Sequence, residues 1–204
     1  MMKELQQGAE TNIPVVDLGE IGVGGPKDPS EEDWRSVGEK LVKAFSEIGF
    51  VYLSNHGVSS NMVDEVNTQS GKFFELDETT KLRYKRGKTE VQGYTTPGQE
   101  RRCGLDRVRD REGTWMNANP ILDTVLVNVG DLLQYWTADK LRATEHRVLI
   151  PKEEMLKKIP RRSVVFFVHP DNPVLVKPID GSTSYDPVTV KMHIDKRFED
   201  TYQY

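Results

Sequence analysis

One continuous stretch, residues 124–163, constrains the fold of this chain more than any other. It begins with an apolar, strand-like run at 125–127, which a tight turn at 128–131 ends. We expect Gly130 to adopt a positive φ in that turn. An aromatic segment, a polar tip and a return segment follow, and after a charged loop the chain enters another apolar run at 162–168. The stretch therefore predicts strands that are joined by turns.

The first hundred residues predict helices around short strands. Ser30 is a favourable N-cap and Asp33 completes a capping-box pattern, so we expect an amphipathic helix over about 31–48 that Gly49 ends. The other predicted elements of the chain are an edge strand at 13–18, a strand at 50–53, helices at about 60–74 and 77–84, and a C-terminal helix within 188–204.

The composition fits a single folded domain in a reducing compartment. The chain has 204 residues, 36% hydrophobic and 29% charged, and its net charge of -4 gives no reason to expect a polyanionic partner. Cys103 is the only cysteine, so an internal disulfide is excluded. We find no secretory signal near the start and no apolar run that approaches the roughly 20 residues that span a bilayer. A cytoplasmic protein is expected, with no nucleic-acid or membrane partner, and the basic run at 81–88 is interpreted as a solvated loop.

Several motifs occur in an order that is typical of one protein family. They are GFVYLSNHGV at 49–58, VNVGDLLQYWT at 127–137, Thr-x-His-Arg-Val at 144–148 and Arg-x-Ser at 161–163. In these motifs the chain resembles the isopenicillin N synthase-like Fe(II)/2-oxoglutarate-dependent dioxygenases. The resemblance implies an α+β fold in which N-terminal helices pack on a double-stranded β-helix, a jelly-roll or cupin-like barrel. It assigns residues 1–100 to the N-terminal region and residues 101–204 to the barrel and its C-terminal helix.

The resemblance also implies a reaction and its cofactors. Members of the family oxidise a small organic substrate with O2, while the co-substrate 2-oxoglutarate is decarboxylated to succinate and CO2. By position in the motifs, His146 would be a ligand of the Fe(II) ion. Arg161 and Ser163 would bind the distal carboxylate of 2-oxoglutarate, through a bidentate guanidinium and a hydroxyl. Their spacing of two residues would place both side chains on one face of a strand.

An internal segment of the family's barrel is missing from this sequence. Members carry long helices, a His-x-Asp strand and a Thr-Leu-Leu strand before a D-x-x-G-x-W turn, but here that turn, at 110–115, comes soon after residue 100. Fe(II) in such enzymes is held by two histidines and one carboxylate, and His-x-Asp supplies one of each. We therefore expect a partial barrel with uncovered apolar strands, poor stability and a tendency to aggregate. The remaining core should include four large aromatic side chains: Trp115, Trp136, Phe166 and Phe167.

Other residues offer a replacement for the missing ligands. His-x-Asp patterns occur at 169–171 and 193–195, but both follow His146, the reverse of the family order. The second pattern lies in the predicted C-terminal helix, where residues two apart do not share a face. Asp106 is a carboxylate with no histidine beside it, and His56 is interpreted as a turn residue that donates to the backbone.

The sequence leaves two functions open. The first is the family's oxidation of a small organic substrate. The alternative is a catalytically inactive truncated or splice-variant relative that acts, if at all, through binding. Splicing, true deletion and a gene-model error are equally compatible with the gap, and neither the substrate nor the oligomeric state is predicted.

Overall fold

The computed structural model describes residues 12–25, 28–87, 92–96, 107–147 and 163–201, in which we find five α-helices and eight short strands. The helices are α1 (Glu31–Glu47), α2 (Ser60–Glu75), α3 (Glu78–Leu82), α4 (Asp131–Trp136) and α5 (Val190–Thr201). The strands are β1 (Val15–Asp17), β2 (Phe50–Ser54), β3 (Arg107–Arg109), β4 (Trp115–Asn117), β5 (Val125–Asn128), β6 (His146–Arg147), β7 (Leu175–Val176) and β8 (Val188–Thr189). The mixture of helices and sheets confirms the predicted α+β class.

The strands of the described residues form three separate small sheets. The first has the order β1-β2-β5, with β1 parallel and β5 antiparallel to the central strand β2. The second has the order β4-β3-β6 and is antiparallel throughout. The third is the antiparallel pair β7-β8. Because β2 pairs with β5, the early and late parts of the chain share one sheet.

Local sequence signals determine where α1 begins. The Ser30 hydroxyl accepts from the Asp33 amide at 3.1 Å, and the Asp33 carboxylate accepts from the Ser30 amide at 3.0 Å. This is the predicted capping box, and it satisfies two backbone donors at the helix terminus. The helix turns Val37 and Ala44 toward β1 and β2, where they pack on Val16 and Val51.

The carboxyl end of α1 is hydrogen-bonded to the later half of the chain. Gly49 ends the helix with φ +80°, as its position predicted. Four carbonyls at this end accept hydrogen bonds from residues more than sixty positions later in the chain. The donors are the Arg142 amide to Phe45 (3.0 Å), Arg111 Nη2 to Ser46 (2.8 Å), Arg142 Nη1 to Glu47 (3.1 Å) and the Thr144 hydroxyl to Ile48 (2.6 Å).

Strand β2 supplies the centre of both hydrophobic clusters. Phe50 and Tyr52 point to one side of the strand, where they pack with Ile13, Val108 and Ala118. Val51 points to the other side, into the cluster under α1. All three β2 side chains are essentially inaccessible, at 0–1% exposure. This two-sided burial explains why the strand reads as a continuous apolar run rather than as an alternating one.

The apolar run at 163–168 is not a strand, which corrects the sequence prediction. The segment has no regular secondary structure, and Phe166 and Phe167 are 89% and 82% exposed rather than in the core. Apolar residues favour a strand only where a neighbouring strand completes the hydrogen-bond ladder, and no described strand pairs with this segment. Of the other aromatic side chains predicted for the core, Trp115 is partly buried and Trp136 is 36% exposed.

The turn at 128–131 also differs from its prediction. Gly130 has φ -83° rather than a positive value, because it is the N-cap of α4 and its backbone is extended. The left-handed residues lie instead at the polar tip, where Ala138 and Asp139 have φ +50° and +63°. In the described part of the chain, no helix is both long and apolar enough to cross a membrane.

We predict that Gly49→Ala destabilises the protein by about 2–4 kcal/mol, because the added methyl group would both strain the backbone and clash with a neighbouring carbonyl. A Cβ at this position would lie 2.3 Å from the Arg142 carbonyl oxygen, in a backbone conformation that L-residues avoid. Gly38→Ala is the matched control. Gly38 lies inside α1 with nothing within 4 Å of its added Cβ, so that change should stabilise by about 0.5–1 kcal/mol. Urea denaturation of the two variants measures both values, and equal effects would contradict the prediction.

We predict that the exposed segment at 163–168 makes the chain self-associate. The segment is apolar, uncharged and free of proline, which is the composition of strands that pair between molecules. The double change Phe166→Lys and Phe167→Lys should raise the monomer fraction in sedimentation velocity, whereas Leu122→Lys, at an isolated residue that is 87% exposed, should not. A monodisperse parent chain with a cooperative thermal transition would contradict this prediction.

Candidate functional site

The candidate site is centred on His146, on strand β6. His146 lies opposite Val108 of β3, and its ring meets Phe50 edge-on, with the ring centroids 5.5 Å apart. Its Nδ1 atom is 3.1 Å from the Thr144 carbonyl oxygen. Thr144 is itself held in place, since its hydroxyl donates to the carbonyl at the end of α1.

This hydrogen bond determines which nitrogen of His146 can bind a metal. A carbonyl oxygen only accepts, so Nδ1 carries the proton and Nε2 carries the free lone pair of the neutral ring. Histidines that bind metals commonly donate their other ring N–H to a backbone carbonyl in this way. The His146 residue is exposed although Val108, opposite it, is fully buried. His146 is therefore not enclosed by the described residues.

The described residues do not complete an iron centre. Fe(II) in an open oxygenase site needs two imidazoles and a carboxylate on one face, but no group of three histidine, cysteine or acidic side chains lies together in the described part of the chain. Glu145, next to His146, forms an ion pair with Arg109 at 2.8 Å. It also points to the opposite side of β6, because neighbouring strand residues alternate. His146 is thus the one described ligand candidate at this place.

The predicted binding residues for 2-oxoglutarate are only partly described. Arg161 and the candidate carboxylate Asp106 lie outside the described residues. Ser163 is described, and it is exposed and not in a strand. The placement of Arg161 and Ser163 on one face therefore stays a prediction.

The two His-x-Asp patterns have other roles. His169 lies in the exposed segment before a turn, with Nδ1 2.8 Å from the carbonyl oxygen of Pro170. His193 is on α5, as predicted, and its Nε2 atom is 3.2 Å from Asp131. Asp195 instead pairs with Lys191, at 2.7 Å, so His193 and Asp195 do not form a chelating pair.

His56 is a turn residue, but the direction of its hydrogen bond corrects the prediction. Its Nδ1 atom accepts from the Val58 amide at 3.1 Å rather than donating to the backbone. The preceding residue, Asn55, has φ +52° and donates through its amide to Asp17 at 2.7 Å. Together with the Gly19 amide, this bond lowers the pKa of Asp17. His56 therefore stabilises the turn after β2.

Sequence reasoning missed the polar contacts that attach the C-terminal part of the chain to α4. Asp131, the first residue of α4, contacts both His193 and Arg197 of α5. The rings of Tyr135 and Tyr185 stack with centroids 4.5 Å apart. The one sequence signal was the spacing of His193 and Arg197, which places both side chains on the same helix face.

Hydrogen bonds and an ion pair to Asp180 hold the loop at 180–182 in place. The Ser182 amide donates to Asp180 at 3.0 Å and the Lys140 ammonium lies 3.2 Å from the same carboxylate. The bonds from Ser182, followed by the Lys140 contact, lower the pKa of Asp180 to about 2.

Burial raises the pKa of the Tyr135 phenol. The Tyr185 phenol donates to Asp139 at 2.7 Å, and that bond is the main cause of its raised pKa.

A hollow lies beside α2. It has a volume of about 300 Å³ and is lined by aromatic side chains of α2 and the segments that follow it. The Tyr94 phenol lies 3.2 Å from Glu78 at this place. The lining residues are Phe73, Phe74, Tyr84, Gly93, Tyr94 and Thr95.

Comparison with protein families identifies the chain. The N-terminal region of non-haem dioxygenases, described as the one in morphine synthesis, matches residues 13–120, and the 2OG-Fe(II) oxygenase superfamily matches residues 76–170. The chain belongs to the 2OG-Fe(II) oxygenase superfamily. The two matches overlap at residues 76–120. In this oxygenase chain the T-x-His-Arg motif with His146 lies inside the second match.

The oxygenase chain matches curated relatives over part of their length. It is 28% identical over 130 residues to the 1-aminocyclopropane-1-carboxylate oxidase of Dictyostelium mucoroides, a match that covers 63% of this chain and 33% of that protein. It is 34% identical over 98 residues to the 2-oxoglutarate-dependent dioxygenase tropC of Talaromyces stipitatus, covering 48% of this chain and 28% of that protein. The chain therefore spans about a third or less of the relatives that it matches.

Solved structures show the fold. A full-length Neurospora crassa protein in complex with alpha-KG and thymine superimposes with a TM-score of 0.74 at 17% identity, covering 93% of this chain and 97% of that chain. A 2OG-Fe(II) oxygenase family protein from Caulobacter crescentus also gives a TM-score of 0.74, at 15% identity, covering 94% and 99%. The helices and sheets of this oxygenase chain therefore follow the fold of that superfamily.

Proposed function

We propose that this chain is an Fe(II)- and 2-oxoglutarate-dependent dioxygenase that oxidises a small organic substrate. The observation that carries the proposal is the hydrogen bond between His146 Nδ1 and Thr144, which leaves Nε2 available as an iron ligand at the family's histidine position. Arg161 and Ser163 are proposed to bind the distal carboxylate of 2-oxoglutarate. A cytoplasmic location and the absence of a nucleic-acid partner belong to the same proposal.

The fold of the active region is proposed in finer detail. The small sheets would be the retained part of a double-stranded β-helix at 101–204, with residues 1–100 as the N-terminal region that packs against it. The segment at 163–168, which pairs with no described strand, supports a barrel that lacks internal strands.

The missing iron ligands favour a second candidate function. Within the described residues His146 belongs to no group of three histidine, cysteine or acidic side chains, so these residues do not fit a complete iron centre. Asp106, outside the described residues, could supply a carboxylate, but a second imidazole would have to be His56, His169 or His193, because the chain has only four histidines. The second candidate is therefore a catalytically inactive relative that acts through binding.

Anaerobic titration of the full chain with Fe(II) and 2-oxoglutarate separates the two candidates. The dioxygenase proposal predicts a saturable visible charge-transfer band at one iron per chain, and succinate formation once O2 is admitted. His146→Ala should abolish the band, since the iron loses its anchoring imidazole. His169→Ala, which changes a histidine in an exposed segment, is the matched control and should leave the band unchanged. Arg161→Ala should raise the apparent Kd for 2-oxoglutarate about 10–100-fold, because a charge-assisted hydrogen bond is lost.

The result that supports the inactive relative is the absence of a band in protein that circular dichroism shows to be folded. A band that persists in His146→Ala would contradict the assignment of His146. In that case the equivalent changes at His169 and His193 would identify the imidazole that binds the iron.

A further inference from the structure

A cluster of arginines lies on the side of the β4-β3-β6 sheet that faces away from His146. Neighbouring residues of a strand point to opposite sides, so Val108, which belongs to the core, and His146 lie on one side of the sheet, and Arg107 and Arg147 lie on the other. Arg109 and Trp115, which are cross-strand partners, share this second side. We call this surface, formed by Arg107, Arg109, Trp115 and Arg147, the arginine face.

Within the described residues, the arginine face has an excess of positive charge. Arg107 and Arg147 are direct cross-strand partners, an arrangement in which like charges repel. The carboxylate of Glu145 is paired with Arg109 at 2.8 Å. No ion pair to Arg107 or Arg147 occurs within the described residues. Three guanidinium groups therefore face one carboxylate.

Two buried donors on this face have no acceptor. The Nε atoms of Arg107 and Arg147 are both inaccessible to solvent, and within the described residues neither donates a hydrogen bond. A buried donor without a partner is costly, more so when it is charged, and in a native protein it commonly marks a bound ion or water. The two atoms belong to the same pair of opposed side chains, so one acceptor between the strands could satisfy both.

Trp115 holds the guanidinium groups in place. The Arg147 guanidinium carbon lies 4.0 Å from the centre of the Trp115 ring, and that of Arg109 lies 5.8 Å from it. A planar guanidinium stacked on an indole loses much of its rotational freedom before any ligand arrives. The Arg109 side chain is 47% exposed, so solvent reaches this face.

We propose that the arginine face is a binding site for a small oxyanion, a carboxylate or phosphate group, held between Arg107 and Arg147. The fork of donors on each guanidinium matches the two oxygens of such a group. The ligand would supply the negative charge and the acceptors that the described protein residues lack. This site is on the other side of the sheet from His146, so its test does not depend on the iron proposal.

The test is the thermal midpoint of the full chain with increasing inorganic phosphate, against sodium chloride at equal ionic strength. Phosphate should raise the midpoint of the parent chain in a saturable way, because it binds the folded state. Arg107→Gln should raise the midpoint without phosphate, since it removes the repulsion, and should weaken the phosphate response at least about tenfold in apparent Kd. A merely structural arginine would show the opposite sign, a lower midpoint with an unchanged phosphate response.

Arg35→Gln is the matched control, because Arg35 is an exposed arginine on α1. It should leave the phosphate response unchanged, and Arg147→Gln replaces Arg107→Gln if that variant does not fold. Titration with succinate in the same assay distinguishes the sources: a lower apparent Kd for succinate than for phosphate assigns the site to carboxylates, and the reverse assigns it to phosphates. The proposal is overturned if neither anion exceeds sodium chloride, or if the parent, Arg107→Gln and Arg35→Gln respond alike.

Discussion

The hydrogen bonds at the carboxyl end of α1 are the constraint on which the rest of the described structure depends. A helix leaves its last carbonyls without partners, and here Arg111, Arg142 and Thr144 supply them from the far side of the sequence. The left-handed backbone of Gly49 lets the chain turn directly from this end into β2. A side chain at Gly49 would occupy the space that the donors use. One short corner therefore joins the N-terminal helices to the later strands.

This corner also positions the candidate iron ligand. The Thr144 hydroxyl is fixed by the end of α1, and the Thr144 carbonyl accepts from His146 Nδ1. The ring then rests against Phe50, at the start of β2. The candidate iron ligand is thus held by the α1 corner and β2. Both His146 and the segment at 163–168 are exposed in the described structure.

The sequence was sufficient where structure depends on contacts within a few residues. Ser30 with Asp33 and Gly49 determined both ends of α1, and the position of His146 in its motif was enough to select it as a candidate. Prediction failed where a distant partner decides the outcome. The run at 163–168 has a strand's composition but no described neighbour, and Gly130 became a helix cap because α4 follows it. The arginine face was not predicted either, because cross-strand register is not visible in a single sequence.

Hydrogen exchange of individual backbone amides, measured by NMR, tests the central role of the α1 corner most directly. The Arg142 and Val129 amides donate to Phe45 and Gly49, both at 3.0 Å, whereas the Tyr52 amide belongs to the sheet core. The account predicts that all three exchange only with global unfolding, at similar protection. Rapid exchange at Arg142 and Val129 beside a protected Tyr52 would contradict it, because the later strands would then open independently of the α1 corner.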